Sequence, residues 1–98
     1  MDPEFADDDL DRLETDPKFT GDHPQAVVRG FRKAMQAIRA ATDLRDLYAT
    51  RGFRMERLQG KRQHQHSMRL NDQWRLIIEV VEKGAARKIK IVRIEDYH

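Results

Sequence analysis

The chain has 98 residues, of which 19 are basic and 17 acidic, with a net charge of +2 and no cysteine. A chain of this length forms one domain with a modest core, so we treat residues 1–98 as a single domain. The lack of cysteine excludes disulfides and thiolate metal sites. No apolar run approaches the roughly 20 residues that a membrane span needs, and no signal peptide is visible. We therefore expect a cytoplasmic protein.

The charge is unevenly distributed along the chain. Residues 1–50 contain 7 basic and 11 acidic residues, a net charge of −4, whereas residues 51–98 contain 12 basic and 6 acidic residues, a net charge of +6. This polarity favours an anionic ligand, nucleic acid above all. The alternative is a solvated basic sheet surface.

The first helix is predicted in "ADDDLDRLETD". Asp7 is placed to cap it, Leu10 and Leu13 supply an apolar stripe, and Pro17 stops it. The preceding residues 1–5, "MDPEF", match what two adjacent cloning sites encode in frame, and we interpret them as largely vector-derived.

A longer helix is predicted in "PQAVVRGFRKAMQAIRAA". Pro24 fits a first helical turn, with Asp22 or His23 as its cap, and Gly30 indicates close helix packing. The buried face is predicted from the i, i+4, i+7, i+11 spacing of Val27, Phe31, Ala34, Ile38 and Ala41. A third, short helix in "TDLRDLYAT" is expected to be capped by Thr42 and to bury Leu44, Leu47 and Tyr48.

The hydrophobic period then changes from 3.6 to 2, which is typical of strands. Strands are predicted in "FRMERL", "HSMRL", "WRLIIEVV" and "KIKIVRI", with turns at "ND" and "EKGAAR". We expect an α+β fold in which the N-terminal helices cover one face of an antiparallel meander. The other face would carry Arg69, Arg75 and Arg93 towards solvent. Trp74 is interpreted as an anchor for the helix layer, with base stacking as the alternative.

The chain ends in "RIEDYH", a concentration of groups that can move protons. Scission of RNA needs a base for the ribose 2′-hydroxyl, a cation for the phosphate and an acid for the leaving 5′-oxygen. Arg75 with Asp96, Tyr97 and His98 supplies these groups without a metal; the alternative is a frayed polar terminus. A strongly twisted sheet, or a terminus folded back over it, would bring these residues to Arg75, and sequence alone leaves this open.

Other site types have weaker support. There is no Gly-rich phosphate loop and no defensible Ser-His-Asp order. His64 and His66 in "HQH" lack a nearby third ligand, so a metal site there is a weak hypothesis. We expect no metal and no cofactor.

The segment "LQGKRQHQHSMRLNDQWRLIIEV" and the terminal "IEDYH" resemble the HigB-type toxins of the RelE/ParE superfamily. Members commonly show Leu-x-Gly-x-Arg, Ser-x-Arg-x-Asn-x-x-Trp-Arg and a closing Asp-Tyr-His. The matching residues here are Leu58, Gly60, Arg62, Ser67, Arg69, Asn71, Trp74, Arg75, Asp96, Tyr97 and His98. "EFADDDLDRL" also looks like the family's opening strand and helix, which implies a small, strongly twisted, mainly antiparallel sheet of four to five strands.

The resemblance implies the toxin of a bacterial type II toxin–antitoxin module that cuts messenger RNA on the ribosome and is blocked by a cognate antitoxin protein. Carried over by position, Arg75 would stabilise the phosphate, and Asp96, Tyr97 and His98 would form the catalytic trio. RNA-binding roles would fall to Lys61, Arg62, His66 and Arg69. The partners would be antitoxin, ribosome and mRNA, with no membrane and no small-molecule cofactor.

Two positions depart from the family pattern. Some members have a histidine where Glu56 stands and a lysine where Gln59 stands, and His66 is a candidate substitute for the missing base. Two alternatives need no acid–base chemistry: a superfamily toxin that poisons DNA gyrase by binding, and an RNA- or ribosome-binding module that inhibits ribosome assembly.

Overall fold

The structure, a computed structural model, describes residues 1–97 and contains three α-helices and five strands in that range. The helices are α1 (Asp8–Thr15), α2 (Gln25–Ala40) and α3 (Leu44–Tyr48), and short 3-10 helices cover Arg51–Phe53 and Gly60–Arg62. The strands are β1 (Asp2–Phe5), β2 (Glu56–Arg57), β3 (Gln65–Arg69), β4 (Trp74–Lys83) and β5 (Ala86–Asp96). No helix among these residues is long and apolar enough to cross a membrane.

The five strands form one mixed sheet in the order β1-β5-β4-β3-β2. Strands β2 to β5 are the predicted antiparallel meander, and β1 adds to β5 in parallel at the edge. This confirms the predicted α+β architecture. Residues Asp2–Phe5, interpreted as largely vector-derived, form the edge strand β1.

The helices cover one face of the sheet, which we call the helix face. Phe31 and Ile38 of α2 are fully buried against aliphatic side chains that alternate along β4 and β5. Gly30 lies so close to the backbone of Leu70 that an added Cβ would overlap the Leu70 carbonyl. The predicted close packing at Gly30 is thus confirmed. The sheet side of this core consists of Met68, Leu70, Leu76, Ile78, Ile89 and Ile91.

The helix caps are only partly as predicted. Asp7 caps α1, because its Oδ1 accepts a hydrogen bond from the Leu10 amide at 2.9 Å. The expectation that Asp22 or His23 caps α2 is wrong: α2 begins at Gln25, and the cap position is Pro24, which has no side-chain hydrogen bond to give. The capping residue of α3 is Asp43 rather than Thr42, and Asp46 completes a capping box with it.

Two further expectations near α3 are wrong. Tyr48 is 42% exposed instead of buried, because α3 is short and its final residue lies at the edge of the sheet beside His66. In "FRMERL" only Glu56 and Arg57 form strand, since Phe53 belongs to a 3-10 helix and is buried under the helix layer.

Candidate functional site

The pairing register of β4 and β5 brings the two candidate halves of the site together. Trp74 at the start of β4 pairs with Asp96 at the end of β5, and Arg75 pairs with Glu95. In an antiparallel pair the start of one strand lies beside the end of its neighbour. The chain terminus therefore reaches Arg75 along the sheet, without folding back over it.

Arg75 is held by three hydrogen bonds on the face opposite the helices, which we call the open face. Its Nε donates to Ser67 Oγ at 2.9 Å, and its Nη2 donates to the Ser67 carbonyl at 3.1 Å and to the Arg54 carbonyl. The expectation that Arg75 faces solvent is wrong: it is 6% exposed, because β3 and the residues before β2 enclose it.

Two local backbone features create this pocket for Arg75. Asn71 Oδ1 accepts hydrogen bonds from the amides of Gln73 and Trp74, at 3.0 and 2.7 Å, which shapes the turn that starts β4. Arg54 ends its 3-10 helix in the left-handed region with φ of 41°, an uncommon conformation outside glycine. Its carbonyl is thereby available to the guanidinium of Arg75.

Tyr97 covers the guanidinium of Arg75. The Arg75 Cζ atom lies 5.2 Å from the centroid of the Tyr97 ring, within cation–π range. The Tyr97 amide donates to the Gln73 carbonyl at 2.7 Å, so pairing beside β4 continues past the end of β5. The Tyr97 hydroxyl donates to Glu56 Oε2 at 3.2 Å. Tyr97 is thus in contact with both the Arg75 guanidinium and the Glu56 carboxylate.

These groups line a cavity of about 210 Å³. Its lining residues are Arg54, Glu56, Arg69, Asn71, Asp72, Arg75 and Tyr97. Arg69 is paired with Asp72, whose side chain is 98% exposed, so this ion pair is a weak one that an anionic ligand could replace. The cavity can therefore place a phosphate against two guanidinium groups with a carboxylate beside it. We call it the Arg75 cavity.

Of the three terminal residues predicted to be catalytic, Asp96 and Tyr97 lie in different places. Tyr97 lies over Arg75, whereas Asp96 does not line the Arg75 cavity and its Oδ2 accepts a hydrogen bond from Gln73 Nε2 at 3.1 Å. Neighbouring residues on a strand point to opposite faces, which accounts for the separation. His98 lies outside the described residues, and its catalytic role stays a prediction.

The two neighbouring cations predicted to bind RNA also differ from each other. Lys61 is exposed, and no residue in the described part of the chain forms an ion pair with it. Arg62 instead holds the Glu95 carboxylate with two hydrogen bonds, at 2.9 and 3.2 Å. The structure therefore engages Arg62 within the protein and leaves Lys61 towards solvent.

His66 lies on the helix face and not at the Arg75 cavity. Its Nδ1 is 2.8 Å from the Tyr48 hydroxyl, and the two rings meet edge to face. Burial lowers the pKa of His66, and the nearby Arg57 lowers it further. Burial thus favours the neutral form of the imidazole. Because His66 lies on the helix face, it is not positioned to act as a base beside Arg75.

A larger cavity, of about 400 Å³, lies beside the end of α1, and its lining shares no residue with the Arg75 cavity.

The structure also bears on the metal-site hypothesis and on the role of Trp74. Among residues 1–97 no group of three or more His, Asp or Glu side chains is arranged to hold a metal ion, and His64 lies 3.1 Å from Glu79. Trp74 packs against the helix-side core, as expected of an anchor for that layer.

Comparisons with known proteins now identify the family. The family model for the RelE-like toxin of type II toxin-antitoxin system HigB matches residues 3–96. The chain belongs to this HigB-like toxin family. A type II toxin acts together with an antitoxin, so membership implies an antitoxin partner. A comparison with curated proteins gives no match.

Solved structures agree with this HigB-like fold. The YoeB/ParE toxin from Agrobacterium tumefaciens superposes with a TM-score of 0.57 at 15% identity, covering 100% of both chains. YafQ from E. coli strain BL21(DE3) gives a TM-score of 0.63 at 14% identity, covering 97% of this chain and 91% of that one. At such identities the likeness concerns the fold alone.

The sequence did not identify two members of the site of this HigB-like toxin. Glu56 was treated as a departure from the family pattern, yet its carboxylate lines the Arg75 cavity. Ser67 is fully buried and accepts a hydrogen bond from Arg75, a role that the family resemblance does not assign to it. The available signal for Glu56 is that the family resemblance singles out its position.

Proposed function

We propose that this HigB-like toxin is an endoribonuclease that cleaves mRNA on the ribosome by metal-independent acid–base chemistry. The observation that supports it best is the meeting of Arg75, Tyr97 and Glu56 at one cavity. A toxin that acts only by binding has no need for a buried guanidinium beside a carboxylate. Burying a guanidinium costs stability unless its donors are paired, so the burial of Arg75 at a cavity that the exposed Glu56 also lines favours a chemical role.

The proposed step is an internal transesterification. The ribose 2′-oxygen loses its proton to a base and forms a bond to the adjacent phosphorus. The bond from phosphorus to the 5′-oxygen breaks, and that oxygen gains a proton. The products are a 2′,3′-cyclic phosphate and a 5′-hydroxyl. The negative charge that develops on the phosphoryl oxygens requires preorganised donors.

The residues of the Arg75 cavity suit these roles. Arg75 would hold the phosphoryl oxygens, because three hydrogen bonds fix its guanidinium before the substrate arrives. Glu56 would take the 2′-proton, and Tyr97 would orient Glu56 or stack on a splayed base. His98 would give the proton to the leaving oxygen, and Asp96 would support it from the neighbouring position.

The partners follow from the proposed target. Lys61 and Arg69 would bind RNA phosphates, with a contribution that weakens as salt rises. A cognate antitoxin would block access to the Arg75 cavity. Because mRNA and ribosomes are the proposed targets, we place the protein in the cytoplasm.

The test is a brief pulse of expression followed by mapping of transcript 5′ ends, with and without co-expressed antitoxin. Wild-type toxin should create new 5′ ends within translated regions. Arg75→Gln and Glu56→Gln should each lower cleavage by about 10²-fold or more. Arg87→Gln, which removes a cation from the distant first residues of β5, should cleave like wild type.

Growth arrest with intact transcripts would contradict the proposal. It would favour a binding toxin, and induction of the DNA-damage response would then separate gyrase from ribosome assembly as the target. Circular dichroism of each purified variant shows whether a loss of activity is a loss of fold. Full activity of a folded Arg75→Gln variant would remove Arg75 from the mechanism.

A further inference from the structure

The open face beside the Arg75 cavity is crossed by a connected row of polar side chains. Arg62, in the connection between β2 and β3, donates through Nη2 and Nη1 to the two oxygens of Glu95 and through Nε to Gln65 Oε1 at 3.0 Å. Gln65 Nε2 donates in turn to Glu79 Oε1 at 2.9 Å. The row therefore links the β2–β3 connection to β3, β4 and the end of β5.

Burial indicates that this row is an ordered part of the structure. Gln65 is 6% exposed, and the side chains of Arg62 and Glu95 are 39% and 32% exposed. A bidentate arginine–carboxylate pair fixes the relative orientation of its two partners more firmly than a single contact. The pair also spans 33 positions of the chain, so it joins the β2–β3 connection directly to the end of β5.

Glu95 has a specific place relative to the site. Glu95 lies opposite Arg75 in the register of β4 and β5. It precedes Tyr97 by two residues, so both side chains lie on the open face. The pair with Arg62 therefore holds the last residue of β5 whose side chain lies on the open face. Beyond it, the described contacts of Tyr97 are its amide bond to Gln73, its hydroxyl bond to Glu56 and its ring over Arg75.

We propose that Arg62 is a positioning residue, which through Glu95 holds the C-terminal segment so that Tyr97 stays over Arg75. Its neighbour Lys61 instead faces solvent, where it can bind phosphate. Two adjacent cations thus act on different steps: Lys61 on RNA affinity and Arg62 on the geometry of the reacting groups. The inference rests on the proposed nuclease function where it predicts a loss of cleavage rate. Its predicted effect on the position of Tyr97 does not depend on that function.

Removal of Glu95 separates positioning from direct RNA binding. If Arg62 binds RNA, Glu95→Gln frees its guanidinium and should strengthen RNA binding. If Arg62 positions the terminus, Glu95→Gln should reproduce the defect of Arg62→Gln. Glu95→Gln also removes the ion pair of Glu95 with Arg93 Nε at 3.4 Å, so the double variant should then be no worse than Glu95→Gln alone.

The experiment measures ribosome-dependent cleavage and RNA affinity for Lys61→Gln, Arg62→Gln, Glu95→Gln and the double variant. We expect Arg62→Gln and Glu95→Gln each to lower kcat about tenfold with KM within about twofold of wild type, since misplaced groups lose rate more than affinity. Lys61→Gln should raise KM and reduce the salt dependence of RNA binding by about one phosphate contact. Arg87→Gln is the matched ion-pair control and should change neither quantity.

Hydrogen exchange at the Tyr97 amide supplies a readout that needs no catalysis. Exchange should be about tenfold faster in Arg62→Gln and Glu95→Gln than in wild type, and unchanged in Lys61→Gln. Unchanged exchange in Arg62→Gln, or tighter RNA binding by Glu95→Gln, would overturn the inference. If wild type cleaves no RNA, the proposed function fails, and the exchange result still decides whether Arg62 positions the terminus.

Discussion

The two faces of the sheet bury different kinds of side chain. On the helix face the buried residues are aliphatic or aromatic, with Phe31 and Ile78 fully enclosed. On the open face the buried residues include Gln65, Ser67 and Arg75. In the described part of the chain, no buried side-chain nitrogen or oxygen lacks a hydrogen-bond partner.

The two faces therefore contribute to stability in different ways. Apolar burial contributes about 25 cal/mol per Å², whereas a buried arginine offsets its desolvation only if its donors are paired. A sheet selected for stability alone could bury aliphatic residues on both faces. The buried polar groups of the open face hold the Arg75 guanidinium and link neighbouring strands, whereas the helix face supplies the apolar core.

The largest effect on stability should come from the helix face. Phe31→Ala removes a fully buried ring and should lower the free energy of unfolding by about 3–5 kcal/mol. Urea denaturation followed by far-UV circular dichroism measures this loss. Gln36→Ala, on the exposed side of the same helix, should change stability by less than about 0.5 kcal/mol. A loss below about 1 kcal/mol for Phe31→Ala would contradict the description of this core.

An intermediate effect on stability, with a larger one on activity, should come from the open face. Ser67→Ala leaves the Nε donor of buried Arg75 without its side-chain acceptor and should lower the free energy of unfolding by about 1–3 kcal/mol. It should also reduce cleavage, because the guanidinium is no longer fixed. Ser67→Thr keeps the hydroxyl and should retain more activity than Ser67→Ala. Equal activity of the two variants would indicate that the hydrogen bond does not orient Arg75.

Much of the helix face was predictable because its signal is periodic. The spacing of Val27, Phe31 and Ile38 specifies one buried stripe, and all three are fully buried. The cap of α3 was not predictable with the same certainty, since Thr42 and Asp43 are adjacent and both suit the position. Asp43 is the cap because its side chain accepts a hydrogen bond from the first turn of α3, while the Asp46 carboxylate accepts from the amides of both Thr42 and Asp43.

The candidate site was predictable in its members but not in its geometry. Residue types and family likeness identified Arg75 and Tyr97, and their contact depends on a register that brings the start of β4 to the end of β5. The burial of Arg75 depends on the left-handed Arg54, a conformation for which the sequence carries no glycine signal. The pairing of Arg62 with Glu95 joins segments far apart in the chain, so no local pattern predicts it.

The smallest effect is a pH dependence on the helix face. Burial lowers the pKa of His66 below its usual value of about 6.5, so the folded protein binds this proton less readily than the unfolded chain. Above about pH 6.5 His66 is mainly neutral in both the folded and the unfolded state, and its full contribution to the free energy of unfolding is present. As pH falls from there towards the lower pKa of the folded state, the unfolded chain takes up the proton first, and the free energy of unfolding decreases. The stability difference between wild type and His66→Gln should therefore shrink between pH 7.5 and pH 5.

Tyr48→Phe tests the cause of that pH dependence. It removes the hydroxyl that lies 2.8 Å from His66 Nδ1 but leaves the ring that buries the imidazole. Because burial is the main cause of the lowered pKa, Tyr48→Phe should keep the same pH dependence as wild type, as measured by chemical denaturation across the same pH range. Loss of the pH dependence in Tyr48→Phe would assign the effect to the hydrogen bond. Retention would assign the lowered pKa of His66 to the enclosure of its ring on the helix face.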